Sequence, residues 1–165
     1  SDAARRFLLA GKVEDMLNTV VRQIAFHNFE TAFHDARKSG EVSAEALSDL
    51  WMQTQTQALG PAVRLDDSYR PIWAYIPHFV HTPFYVYAYA FGDCLVNALW
   101  QNYQVKSAAD KLVFSEQYIQ LLKAGGTKRY NEALAPFELN PADASFWNMG
   151  LDMIAGMIDE LESLS

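Results

Sequence analysis

Apolar residues fall at helical spacing along nearly every long segment of this chain. The clearest run begins at Lys12: Val13, Met16, Leu17, Val20, Val21, Ile24, Phe29 and Phe33 form a broad stripe on a 3.6-residue period. That period predicts a helix from Lys12 to about Lys38, stopped by Gly40. A short helix over Ala3 to Ala10 precedes it, with Ser1 and Asp2 as caps, and Gly11 either interrupts it or is carried through. Ser43 is suited to cap a helix over Ala44 to Leu59, which would bury Leu47, Leu50, Trp51 and Thr54. Gly60-Pro61 ends it, and residues 61–72 read as a loop with one helical turn after Asp67. A central helix is expected from Pro83 to about Tyr103, with Thr82 as N-cap and Pro83 as first residue. Gly92 inside it costs about 1 kcal/mol against Ala, which points to close approach of another helix. Ser107 and Asp110 form an N-terminal box for Ala108 to Lys123, with Leu112, Val113, Tyr118, Ile119 and Leu122 as its apolar positions and Gly125-Gly126 as the stop. A short helix from about Lys128 to Leu134 ends before Pro136. Asn140-Pro141 opens the last helix, with Asp143 in its first turn and Phe146, Trp147, Leu151, Ile154, Met157, Ile158 and Leu161 on its core face. Alternation of period two is almost absent. The expectation is an all-α fold of about seven helices in a single helical domain, residues 1–165.

Composition narrows the function classes. The formal net charge is −7, which argues against a nucleic-acid partner and against docking on an anionic membrane. No apolar run is long enough to span a bilayer. The single cysteine cannot form an internal disulfide and fits a reducing compartment. SDAARRFLLAGK lacks a signal-peptide layout. A soluble, cytoplasmic protein is expected.

Chemistry concentrates in Trp73 to Trp100, WAYIPHFVHTPFYVYAYAFGDCLVNALW. It carries two of the four histidines, His78 and His81, with Tyr75, Tyr85, Tyr87, Tyr89 and Cys94. Pro77 and Pro83 bracket His78 to Thr82 as a loop or tight turn. On the helix after it, Phe84, Tyr87 or Ala88, and Phe91 share one face, while Tyr85 and Tyr89 share a neighbouring one. A loop histidine facing helix-borne phenols builds a wall of donors suited to a peptide or an oxyanion. The competing reading is core, because aromatic rings bury large apolar areas. Cys94 reads as a small core residue. Glu30 and His34, four apart, could face a metal together, but they read as a solvated surface pair, since no matching Glu-x-x-His lies elsewhere. Arg64 and Arg70 are loop arginines able to bind carboxylates, with solvation as the plainer reading.

The run IPHFVHTPFYVYAYAFG resembles a segment near the C-terminal end of the catalytic domain in the oligoendopeptidase F family, zinc peptidases related to thimet oligopeptidase. VVRQIAFHNFE, YIQLLKAGGTKRY and FWNMGLDMIAGMIDEL follow the family in the same order, so the likeness covers most of the chain. The resemblance implies part of a larger helical zincin-type domain. It implies zinc held by an HExxH helix and a further glutamate, and this chain contains no HExxH. The chain is therefore expected to be a C-terminal, substrate-binding part of a zinc metalloendopeptidase, with the zinc ligands outside it. By the same resemblance, His78 binds substrate and transition state and Tyr87 stabilises the oxyanion. Tyr85 and Tyr89 are second choices for that role, and they and His81 are substrate-binding neighbours. The chain departs from the pattern at Val80, where many relatives carry an aromatic, and at Ala88, where they carry Gln.

The implied partners are short peptides and the rest of the peptidase catalytic domain. Without that remainder, the chain alone is expected to be inactive and to self-associate through its exposed apolar face. The alternative is a non-catalytic helical module that binds a peptide or apolar ligand in the same aromatic pocket. A third reading, a bare helical scaffold, needs His78 and Tyr87 buried in satisfied bonds.

Overall fold

A computed structural model describes residues 1–164. Eight α-helices and three short 3-10 helices follow one another, with no strand among the described residues. The α-helices are α1 (Asp2–Thr19), α2 (Val21–Arg37), α3 (Ala44–Leu59), α4 (His78–His81), α5 (Tyr87–Gln104), α6 (Ala108–Ala124), α7 (Tyr130–Leu134) and α8 (Ala144–Ser163). The all-α expectation holds. Two compact units share these elements: one is Glu14–Gly92, the other Ser1–Val13 together with the chain from Asp93 onwards.

The Glu14–Gly92 unit is built on an aromatic core. Trp51 of α3 is fully buried, with its ring 5.4 Å from Phe26 and 5.3 Å from Phe29, both on α2. Ile76, Val86 and Phe79 complete this cluster. Ser43 caps α3 as expected, its hydroxyl accepting from the Ala46 N–H at 3.1 Å. Residues Asp67–Tyr75 form a 3-10 helix, longer than the single turn expected. Three polar ties hold it to α3. The Trp51 indole donates to the Tyr69 carbonyl at 3.0 Å, the Trp73 indole to the Ser48 hydroxyl at 3.1 Å, and Arg70 pairs with Asp49 at 2.5 Å. Arg70 is thus a strut of the fold; its guanidinium pKa is raised, first by that hydrogen bond.

The first helices divide differently from the sequence reading. Gly11 is carried through α1, and the break falls at Val20. The hydrogen-bond ladder nevertheless continues there, from Val20 N–H to Met16 O and from Ile24 N–H to Val20 O. The break turns the buried stripe: Val13, Met16 and Val20 are buried, then Ala25, Phe26, Phe29 and Glu30, while Leu17 and Ile24 face outward.

In the other unit, Ala98, Leu99, Phe114, Leu134, Phe137, Leu139 and Phe146 make the core. Ser107 and Asp143 cap α6 and α8 by accepting from Asp110 N–H and Ser145 N–H. The apolar positions read for α6 are mostly not its buried ones. Phe114 is its buried residue, and Leu112, Val113, Ile119 and Leu122 are exposed. Apolar residues lie on several sides of α6, so periodicity could not select the inward one. The glycine of close approach is also corrected. A Cβ at Gly92 would meet open space, whereas one at Gly150 would lie 3.0 Å from the Cys94 carbonyl oxygen and 3.1 Å from its Cα.

Urea denaturation tests that contrast. Gly150→Ala must push backbone apart and should destabilise by about 1–3 kcal/mol. Gly92→Ala lies in open helix and should stabilise by about 0.4–1 kcal/mol.

Candidate functional site

His78 opens the single turn of α4, and its ring is partly buried. Val86, fully buried in the aromatic core, anchors the start of α5 nearby in sequence. Between them, the helix expected from Pro83 does not form: α5 begins at Tyr87. Thr82 is therefore no N-cap, and Phe84 and Tyr85 lie outside the helix. The reason is Phe84, whose φ of 60° is left-handed, a region costly for a residue with a large side chain. Its N–H is taken by the Glu30 carboxyl, Oε1 accepting at 2.7 Å, and not by a helical carbonyl. The α5 ladder starts late, with Ala88 N–H bonded to Tyr85 O at 2.9 Å.

This turn brings three of the singled-out rings together. His78 Nε2 and the Tyr89 hydroxyl share a hydrogen bond of 3.0 Å. The Tyr85 ring lies parallel to that of His78, centroids 6.4 Å apart and planes 4° apart. Tyr85 and Tyr89 meet edge to face at 5.6 Å. All three tyrosines keep solvent access: Tyr85 is 49%, Tyr87 52% and Tyr89 39% exposed. Tyr87 stands apart from the trio, its ring edge-on to His27 at 6.2 Å. No hydrogen bond to the Tyr85 or Tyr87 hydroxyl occurs among the described residues. His81, at the end of α4, is exposed and outside the cluster.

Glu30 and His34 are not the solvated pair expected. Glu30 is 1% exposed, and the His34 ring packs on Phe84 with centroids 4.4 Å apart. The signal was present in the sequence: Glu30 follows Phe26 by four and Phe29 by one, on the buried stripe. Periodicity scoring discards it because carboxylates are rarely buried unpaired.

No group of three or more His, Cys, Asp or Glu side chains placed to hold a metal occurs among the described residues. No helix among the described residues is long and apolar enough to cross a membrane. Cys94 is buried, and burial first, then Asp93, pushes its thiol pKa up. The other unit carries an apolar groove of about 470 Å³ between α5 and α6, lined by Val96, Trp100, Tyr103, Phe114, Tyr118 and Ile119 among others.

With this geometry in view, comparison with known proteins places the chain in a helical peptidase class. Residues 2–153 match peptidase family M3, and the chain belongs to that family. It is 29% identical over 164 residues to the plasmid oligoendopeptidase F of Lactococcus lactis subsp. cremoris, covering 99% of this chain and 26% of that protein. An oligoendopeptidase F homolog of Borreliella burgdorferi is 32% identical over 124 residues, 74% of this chain and 20% of its own length. The crystal structure of oligoendopeptidase-F from Enterococcus faecium superposes with a TM-score of 0.87 at 27% identity, over 99% of this chain and 31% of that one. The chain thus spans about a quarter of the length of the curated relatives it matches.

Alkylation checks the thiol. A raised pKa leaves less thiolate at any pH below it, so Cys94 should react with iodoacetamide at pH 8 at least tenfold more slowly than a free thiol, until denaturant is added.

Proposed function

We propose that this chain is the substrate-binding part of a zinc metalloendopeptidase that hydrolyses internal bonds of short peptides, with the zinc ligands in the remainder of the protein. What carries the reading is the His78–Tyr89 hydrogen bond with Tyr85 stacked beside it, and the half-exposed Tyr87 at the start of the same helix as Tyr89, in a member of a peptidase family. The chain's own residues offer donors. Tyr89 has its hydroxyl engaged by His78, so the pair holds an orientation and binds peptide backbone. Tyr85, parallel to His78, extends that wall, and the exposed His81, outside the cluster, is proposed as a further contact for substrate.

Tyr87 is the oxyanion donor in this proposal. Its hydroxyl is bonded to no described residue, it is the most exposed of the three, and it is the first residue of an 18-residue helix. The positive end of that helix dipole favours negative charge developing on a peptide oxygen. Such a preorganised donor contributes about 3–4 kcal/mol to barrier lowering.

The apolar groove of Val96, Trp100 and Ile119, with Leu112 and Leu122 exposed on the same helix as Ile119, fits a face that the rest of the catalytic domain covers. A chain spanning a quarter of its relatives' length leaves ample polypeptide to do so.

Two measurements test these assignments. In the longer protein, activity on a quenched short peptide should be chelator-sensitive, and Tyr87→Phe should lower kcat about 100-fold with little change in KM. The 165-residue chain alone should show no hydrolysis with or without added zinc. Zinc-dependent turnover untouched by Tyr87→Phe would move the oxyanion role to Tyr85 or Tyr89. A longer protein without activity would leave a helical peptide-binding module as the better reading. In light scattering, the isolated chain should associate at high concentration, and Trp100→Lys should return it to monomer.

A further inference from the structure

Glu30 is a carboxyl in an aromatic environment, one residue from Phe29 and 1% exposed. Burying such a group is unfavourable unless it is hydrogen-bonded, and an apolar side chain of the same size would pack there at lower cost. Its one hydrogen bond among the described residues is to the N–H of Phe84, accepted by Oε1 at 2.7 Å. Phe84 is one of two non-glycine residues with positive φ among those described. Its ring is held from the same helix, by His34 at 4.4 Å. A third α2 side chain, His27, meets the ring of Tyr87 at 6.2 Å. His27, Glu30 and His34 lie three and four residues apart, so one face of α2 carries them all. The turn they hold is the one that separates His78 from Tyr85, Tyr87 and Tyr89.

We propose that Glu30 is a positioning residue for the tyrosine cluster: its carboxyl holds Phe84 in the left-handed turn that sets His78 against Tyr85 and Tyr89 and presents Tyr87 at the start of α5. The assignment of work to the tyrosines rests on the peptidase reading, but the positioning itself does not. Without the acceptor, Phe84 relaxes to negative φ, the start of α5 shifts, and the His78–Tyr89 hydrogen bond is lost.

The test reads the turn directly, with no peptide present, so it stands whether or not the protein proves to be a peptidase. Amide exchange at Phe84 and the ring 15N shifts of His78 are measured by NMR in the 165-residue chain and in Glu30→Met, Glu30→Gln and the double variant Glu30→Met with Phe84→Gly. Met fills the pocket without an acceptor, so the fold should keep its melting temperature or gain. Phe84 exchange should nevertheless rise at least tenfold, and the His78 shifts should move toward those of a histidine without the tyrosine bond. Gln keeps an acceptor oxygen and should retain both signatures within twofold. Glycine at position 84 adopts positive φ freely, so the double variant should restore the His78 shifts. Glu30→Met with parent-like Phe84 exchange and His78 shifts would overturn the proposal, as would a Gln variant as perturbed as the Met one.

Discussion

The packing of Trp51 between Phe26 and Phe29 is the contact on which the Glu14–Gly92 unit depends. A tryptophan 0% exposed contributes a large apolar area, but it also buries an indole N–H, which must find an acceptor. That acceptor is the Tyr69 carbonyl. One side chain therefore joins α2 to α3 by its ring and draws the 3-10 helix onto α3 by its nitrogen. Trp73 repeats the device through Ser48. The segment that follows is thereby fixed where it enters Ile76, Pro77 and His78.

From that anchor the site follows by short steps. Ile76, Phe79 and Val86 are pinned in the same core, so the residues between Phe79 and Val86 must loop outward and return. Within that loop Phe84 is left-handed with its N–H bonded to Glu30, so the helix starts only at Tyr87. The exposed tyrosines of this unit are thus placed by the buried residues on either side of them. In the other unit the balance differs: α6 buries Phe114 yet leaves Leu112, Val113, Ile119 and Leu122 in contact with solvent. Apolar side chains at that density on an exposed helix make a larger apolar patch than singly scattered surface residues do.

Much of the architecture was legible in the residues. The Ser43 cap, the Ser107 and Asp110 box and the Gly60 and Gly125 stops lie where capping chemistry puts them, because each depends on atoms within a few residues of one another; α8 instead starts later than expected, at Ala144, with Asp143 as its N-cap and not in its first turn. Trp51 and Thr54 are inward for the same local reason. The cluster of His78 with Tyr85 and Tyr89 was legible only as a candidate, since rings near in sequence have many ways to miss one another. The failures share a cause. The start of α5, the inward side of α6 and the glycine of close approach are each decided by a partner distant in sequence.

The sequence by itself determined that the chain is helical, where most helices begin and end, and that one stretch holds the hydrogen-bonding aromatics. Periodicity and capping are local, and local interactions are written in consecutive residues. Only the tertiary structure decided that Glu30 is buried and reaches 54 residues along the chain to Phe84, that Gly150 and not Gly92 meets a neighbouring backbone, and which tyrosine His78 bonds. Those outcomes depend on which side chains the folded core places within a few ångströms of one another, and no periodicity encodes that.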